Sequence, residues 1–189
     1  MNDETAQAKI LEAADQLFYA QGIRSVGIDD IRDASGVSLK RLYRLFGAKE
    51  DIAAAALRRR SEGFTEALKA SIAGYASPPD KLLGVFDFLY EWFAEPDFRG
   101  CPFINAYAEA DHAGAVTCVV EEQKDEFANV LRALVADAGG PPELAEQLFI
   151  LAHGAMVVAA IRSSPAAARE AQRAAEALIA ARTTRGANA

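Results

Sequence analysis

Along the 189-residue chain, apolar positions recur every three to four residues nearly everywhere. No run alternates with period two, so the pattern predicts an all-α protein. Ile10, Leu11, Ala14, Leu17 and Phe18 form one stripe, and Gly22 follows as a stop. A short second helix is expected from Ile28 to Ser35, with Ile31 and Ala34 inward. Gly36-Val37-Ser38 makes a turn, and Ser38 is placed to cap a third short helix that stops at Gly47. A long helix follows from Ala48 to Tyr75, with Ile52, Leu57, Phe64, Leu68 and Ile72 on one side and Gly63 expected to interrupt it. Ser77-Pro78-Pro79 is the clearest break. The helix Asp80–Ala94 has only a narrow polar arc, Asp80, Gly84, Asp87 and Glu91, which predicts burial on several sides. Phe103–Asp111 is a further short helix, followed by two long ones, Gly114–Ala138 and Pro142–Arg162. The last, Pro165–Arg182, is half alanine and suits a helix interface better than a cavity. The count is about nine helices.

A hydrophobic content of 51% rules out wholesale disorder. A chain of this length buries close to ~70% of its unfolded surface without a covalent staple. Two cysteines and two histidines exclude a disulfide framework and leave a four-ligand zinc site unexpected. The opening MNDETAQAK has no apolar core, so no secretory leader is expected. The longest apolar run, Leu148–Ile161, has 14 residues against the ~20 of a membrane span. It reads as a buried helix, and the expectation is a cytoplasmic protein with no membrane partner. No Gly-rich phosphate loop, metal-spaced cluster or Ser/His/Asp arrangement appears, so neither an enzyme nor a cofactor is expected.

Net charge is −7, which taken alone argues against nucleic acid. Its distribution argues otherwise. Residues 38–60 hold Lys40, Arg41, Arg44, Lys49, Arg58, Arg59 and Arg60 against Glu50 and Asp51, a net of +5. Phosphate binding requires only such a local patch. Arg58–Arg60 also fit a solvated helix face.

Residues 37–51 read VSLKRLYRLFGAKED. On a helical wheel Leu42 and Phe46 face inward, and Lys40, Arg41 and Arg44 share an outward arc. A short basic helix after a tight turn suits the DNA major groove, whose width of ~12 Å accepts one helix. A solvated basic helix is the competing reading. At this point the sequence resembles the TetR-type transcriptional regulators. The resemblance runs without gaps through Ala8-Lys9-Ile10-Leu11-Glu12-Ala13-Ala14, Leu17-Phe18, Gly22, Asp30-Ile31, Gly36-Val37-Ser38, Leu42-Tyr43, Phe46 and Lys49-Glu50. Arg99-Gly100-Cys101-Pro102-Phe103 resembles the opening of the sixth helix in one branch of that family.

The resemblance implies a homodimer that binds double-stranded DNA through a helix-turn-helix head, residues 1–47, and a small-molecule effector through a helical body, residues 48–189. By motif position it implies that Ser38, Tyr43 and Lys49 meet phosphates, and that Leu39, Lys40, Arg41 and Arg44 face bases. Two departures stand out. Gly27 replaces a capping Thr or Ser, and Lys40 and Arg41 replace small residues, which should alter operator preference. Periodicity sets Leu39 on the Leu42 side, whereas the family position faces DNA, so partial exposure is expected.

Eight of the sixteen aromatic residues lie between Phe86 and Tyr107. They read either as plain core or as a pocket. The pocket reading takes Phe86, Tyr90, Phe93, Phe103, Tyr107, Phe127, Phe149 and His153 as ligand-binding residues. His153 also fits a hydrogen-bonded interior histidine. The last two long helices are expected to form the dimer interface, through Leu144, Leu148, Leu151, Ala155 and Val158 and through Ala167, Ala171, Ala174 and Leu178. The resulting expectation is a ligand-responsive repressor on a pseudo-palindromic operator. A helical small-molecule-binding protein without operator function is the alternative.

Overall fold

The computed structural model describes residues 1–186, with side chains through residue 181. Among the described residues there are nine helices and no strand: α1 (Asp3–Gln21), α2 (Ile28–Ser35), α3 (Leu39–Leu45), α4 (Lys49–Ala73), α5 (Pro78–Phe93), α6 (Pro102–Glu109), α7 (Ala115–Asp137), α8 (Pro142–Arg162) and α9 (Ala166–Gly186). The all-α expectation holds, and α2 and α8 have the predicted bounds. Contrary to expectation, α4 continues through Gly63 without a break. The chain forms two compact units. One is Met1–Gly63 with Pro102–Gln123; the other is Phe64–Cys101 with the chain from Lys124 on.

In the first unit, α1 is capped by Asn2, whose side-chain oxygen accepts the Thr5 N–H at 2.7 Å. At the start of α2, Gly27 has no side chain to accept a bond, but its own N–H donates to Asp30 Oδ2 at 2.7 Å. Gly36 (φ 66°, ψ 19°) takes the left-handed turn into α3, a conformation that side chains with a β-carbon rarely adopt. Ser38 stands at the N-cap of α3, yet its hydroxyl makes no cap bond, so the predicted side-chain cap is absent. Its carbonyl accepts the Arg41 and Leu42 N–H groups at 2.9 Å each. Ala6, Ile10, Ala14, Val26, Ile31, Val37, Leu42 and Ile52 make the core of this unit. Ala34 is exposed, not inward. Ile31 and Ser35 are one helical turn apart and take the buried face, which rotates Ala34 away from it.

The same unit includes α6. The Arg24 N–H donates to Glu109 Oε2 at 2.7 Å, and Arg24 Nε donates to the Glu109 carbonyl at 2.9 Å. At the head of α7 the Ala115 N–H donates to Glu50 Oε1 at 2.9 Å. Arg60 forks onto both oxygens of Asp15 at 2.6 Å and lies 4.6 Å from the centre of the Tyr19 ring. Of the arginine triplet, Arg60 therefore joins α4 to α1, while Arg58 and Arg59 are exposed.

In the second unit, α5 packs against α8 and α9. Its polar arc is solvated only at its two ends, Asp80 and Glu91. Gly84 is buried against the ring of Tyr75, and Asp87 accepts from Tyr75 Oη at 2.8 Å, from Gln172 Nε2 at 3.0 Å and from the Arg169 guanidinium. Burial pushes the Asp87 carboxyl up, and these three hydrogen bonds more than offset it, leaving it below its usual range. Arg169 also stacks 4.2 Å from the centre of the Tyr90 ring. Ala168, Ala171, Ala175 and Ile179 are the buried stripe of α9.

This packing corrects the predicted interface stripe. Leu144, Leu148, Ala155 and Ala171 are buried within the chain itself. The apolar face left exposed on α8 is Ile150 (62%), Val157, Val158 and Ile161 (78%), with Gly154 on the same stripe. By length and composition α8 is long and apolar enough to cross a membrane, with 39% of its most apolar stretch buried. The 14-residue apolar run understated it, because Leu144 and Ala145 continue the apolar content toward the N-terminus of the helix.

A β-carbon on Gly84 would sit 2.7 Å from Tyr75 Cε2, on a ring whose hydroxyl is held by Asp87. Gly84→Ala is expected to destabilise the protein by about 1–3 kcal/mol through overpacking. Urea unfolding checks it; an unchanged midpoint contradicts the packing described.

Candidate functional site

Two groups of side chains need an explanation beyond folding. The first is the outer face of α3. Leu42 is fully buried (0% exposed) and anchors the helix, with Leu45 and Phe46 half-buried beside it. Lys40 and Arg44 project from the opposite side and are exposed, as is Tyr43; Ser38 is exposed at the helix start. Leu39 is half-buried, as periodicity required. Arg41 is half-buried because its guanidinium folds back onto Asp3 of α1, with Nη2 to Oδ1 at 2.6 Å. Lys49 is also engaged: Nζ donates to the carbonyls of Ile23 and Val26 at 2.9 Å each, holding the α1–α2 connection to the start of α4. The predicted positions Ser38, Lys40, Tyr43 and Arg44 thus share one accessible surface. Lys49 and Arg41 spend donors on the head itself.

The second group is aromatic and lies in the unit that begins at Phe64. Rings follow one another from Phe98 to Phe93 (4.9 Å between centroids) and Trp92 (5.2 Å from Phe98). Trp92 meets Phe64 at 5.6 Å, Phe64 meets Phe127 at 5.8 Å, and Phe127 meets Phe149 and His153 at 5.9 and 5.8 Å. Of the predicted ligand-binding residues, Phe93, Phe127, Phe149 and His153 belong to this series. Phe86 is core, and Tyr90 lies under Arg169. Phe103 and Tyr107 belong to the other unit, where Phe103 is buried and Tyr107 is 44% exposed beside His112. The first unit also holds a small cavity among Phe18, Tyr19, Leu57, Arg60, Ala106 and Glu109. Its volume of about 30 Å³ suits a water or two, far below the ~300 Å³ at which ligand pockets begin.

Residues 10–56 match the family model of the bacterial regulatory proteins of the tetR family. Over its full length the chain is similar in fold to a TetR-family transcriptional regulator from Streptomyces coelicolor, with a TM-score of 0.87, 28% identity, and 95% of this chain and 96% of that one covered. A second TetR-type structure, from Streptomyces avermitilis, gives a TM-score of 0.77 at 28% identity, covering 90% and 98% of the two chains. An uncharacterized helix-turn-helix transcriptional regulator of Mycobacterium tuberculosis is 32% identical over 80 residues, 42% of this chain. That match spans 40% of the relative's own length. The transcriptional activator FasR of Mycolicibacterium smegmatis is 25% identical over 118 residues, 61% of this chain and 53% of FasR. Residues 10–56 thus carry a TetR-type helix-turn-helix segment, and the chain as a whole is similar to TetR-type transcriptional regulators.

Sequence reasoning about this chain missed Phe64, which sits on α4 among residues that read as ordinary core spacing, and Asp3, whose contact with α3 spans 38 residues. Phe64 has the same period as plain core, and the Asp3 contact leaves no periodic signal. It also left open the state of His153. The structure gives its Nδ1 a bond to the Phe149 carbonyl at 2.9 Å, while Nε2 is buried with no hydrogen-bond partner among the described residues. Because a carbonyl only accepts, Nδ1 carries the proton and Nε2 is an acceptor aimed among aromatic rings. Burial, assisted by the Lys124 charge, holds His153 down to about 4 against the Phe149 bond that favours the cation.

A histidine whose folded pKa is depressed binds a proton in the unfolded state first. Its contribution to stability is therefore intact above about pH 6.5 and is lost progressively as pH falls toward about 4. Allowing for its partial exposure, the loss is about 2 kcal/mol. Thermal melts between pH 7 and 4.5 check this: His153→Phe should flatten the slope, and an equal slope in both proteins contradicts the assignment.

Proposed function

We propose that this regulator is a repressor that binds a pseudo-palindromic operator as a homodimer and is released by a small apolar or aromatic molecule. In this reading residues 1–47 are the DNA-binding head and residues 48–189 the body, the last three positions lying outside the described residues. The observation that carries it is α3, a helix buried through Leu42 with Lys40, Tyr43 and Arg44 exposed on one surface. Ser38, Tyr43 and the third donor of Lys49 are suited to phosphates. Lys40, Arg41, Arg44 and Leu39 are suited to base edges, Leu39 through a thymine methyl. A head of this kind needs a second copy to read both half-sites.

The exposed stripe Ile150, Gly154, Val157, Val158 and Ile161 supports that second copy. Its spacing follows one helix face, and Gly154 leaves room for close approach. Covered by a partner helix, α8 needs no lipid, which fits a cytoplasmic protein. The effector reading is supported by the aromatic series ending at Phe149 and His153, with the His153 acceptor to orient a donor group. An effector acts only through unequal affinity for two states of the protein. Typical coupling of ~1–3 kcal/mol would change operator affinity by about 5–150-fold.

The reading is tested by selecting duplexes from a random pool and assaying the selected site upstream of a reporter. Arg44→Ala should weaken the selected site by about 1–3 kcal/mol and random duplex far less. Equal loss on both makes Arg44 a phosphate contact. Reporter output that rises with the regulator contradicts the repressor assignment. Separately, Val157→Glu with Ile161→Glu should sediment as a folded monomer that no longer holds a two-half-site operator. A dimer of unchanged stability removes α8 from the interface.

A further inference from the structure

The two arginines of α3 already hold an anion supplied by the chain. Arg41 donates to Asp3 Oδ1 through Nη2 at 2.6 Å and Nε at 3.1 Å, and its Nη2 also reaches the Met1 carbonyl at 2.9 Å. Arg44 Nη2 donates to the same Asp3 oxygen at 2.5 Å. Residues 41 and 44 lie three apart on one helix, so their side chains reach the same region. Asp3 stands in the first turn of α1, where the helix dipole favours a carboxylate. The dipole explains an acid there. It does not explain why two guanidiniums from another helix converge on one of its oxygens. The Arg41 hydrogen bond, joined by the charges of Arg44 and Arg41, outweighs desolvation and holds the Asp3 carboxyl below its usual range, so it is ionised at neutral pH.

A DNA duplex would bring phosphates and guanine acceptors to the same guanidiniums. We propose that Asp3 is an intramolecular competitor of DNA for Arg41 and Arg44, occupying their donors in the free protein and restraining attachment to duplex in general. This rests on reading α3 as the DNA-facing helix. Asp3 and Arg44 are solvent-exposed, with side-chain exposures of 55% and 60%, and Arg41 keeps 24%, so water reaches both pairs and they exchange when a stronger anion array arrives. Lys40, which makes no ion pair among the described residues, is not restrained in this way and is free to lead the encounter.

The test compares the full-length protein with Asp3→Asn, which keeps the side-chain shape and removes the charge. Binding to a short random-sequence duplex is measured by fluorescence anisotropy over a range of salt, with thermal melts to show that both proteins are folded. Asp3→Asn should bind about two- to tenfold tighter at low salt, the scale of exposed ion pairs. Its plot of log affinity against log salt should be steeper by about one, since an internal counter-ion has been removed. In an Arg41→Ala, Arg44→Ala background the same change should give no gain. Unchanged or weaker binding by Asp3→Asn overturns the proposal, weaker binding marking Asp3 as a buttress for the arginines instead. A gain that persists without both arginines also overturns it. If neither protein binds any duplex at low salt, the DNA-facing reading of α3 falls first and carries this proposal with it.

Discussion

A helix of seven residues cannot stand alone in water, where isolated helices become marginal below ~12–15 residues. α3 exists because Leu42 is driven into a core made by α1, α2 and α4. Burying that one side chain also determines what the helix shows. At about 100° per residue, positions 40 and 44 fall opposite Leu42, while 39, 45 and 46 fall beside it. Lys40 and Arg44 are therefore outward and Leu39, Leu45 and Phe46 are half-buried for the same reason. The left-handed Gly36 turn and the Lys49 clamp on the Ile23 and Val26 carbonyls support this single arrangement from either side.

Positive charge in residues 38–60 divides into two physical roles. Arg60 and Lys49 are part of the scaffold, one forked onto Asp15 and the other bonded to two backbone carbonyls. Lys40 and Arg44 are exposed, and Arg41 and Arg44 are balanced by Asp3. A net charge of −7 is compatible with DNA binding because the surplus acids lie mainly beyond residue 60. The same division explains why Glu109 and Glu50, acids near the basic head, are not a liability. Their carboxylates accept backbone N–H groups of Arg24 and Ala115.

Helix number and the bounds of α2 and α8 were legible because punctuation is local: Gly27 and Gly36 bracket one, and Gly139-Gly140-Pro141 and Pro142 open the other. The sharing of buried faces was less legible. Asp87 read only as part of a narrow polar arc, because its partner Arg169 lies 82 residues away on α9. Leu144, Leu148 and Ala155 read as an interface because a stripe facing the chain's own core and one facing a partner have the same period. The candidate DNA surface was read residue by residue from one segment. The aromatic series was read only in part, because Phe64 joins it from α4 and Tyr90 leaves it for Arg169.

The central claim is that the α3 surface organised around Leu42 is where this regulator meets DNA. Backbone amide hydrogen exchange of the full-length protein, with and without a selected duplex, tests it most directly. The account predicts added protection over the turn and helix spanning residues 36–46, with little change over the exposed face of α8. Protection confined to other segments, with residues 36–46 exchanging as in the free protein, would contradict it.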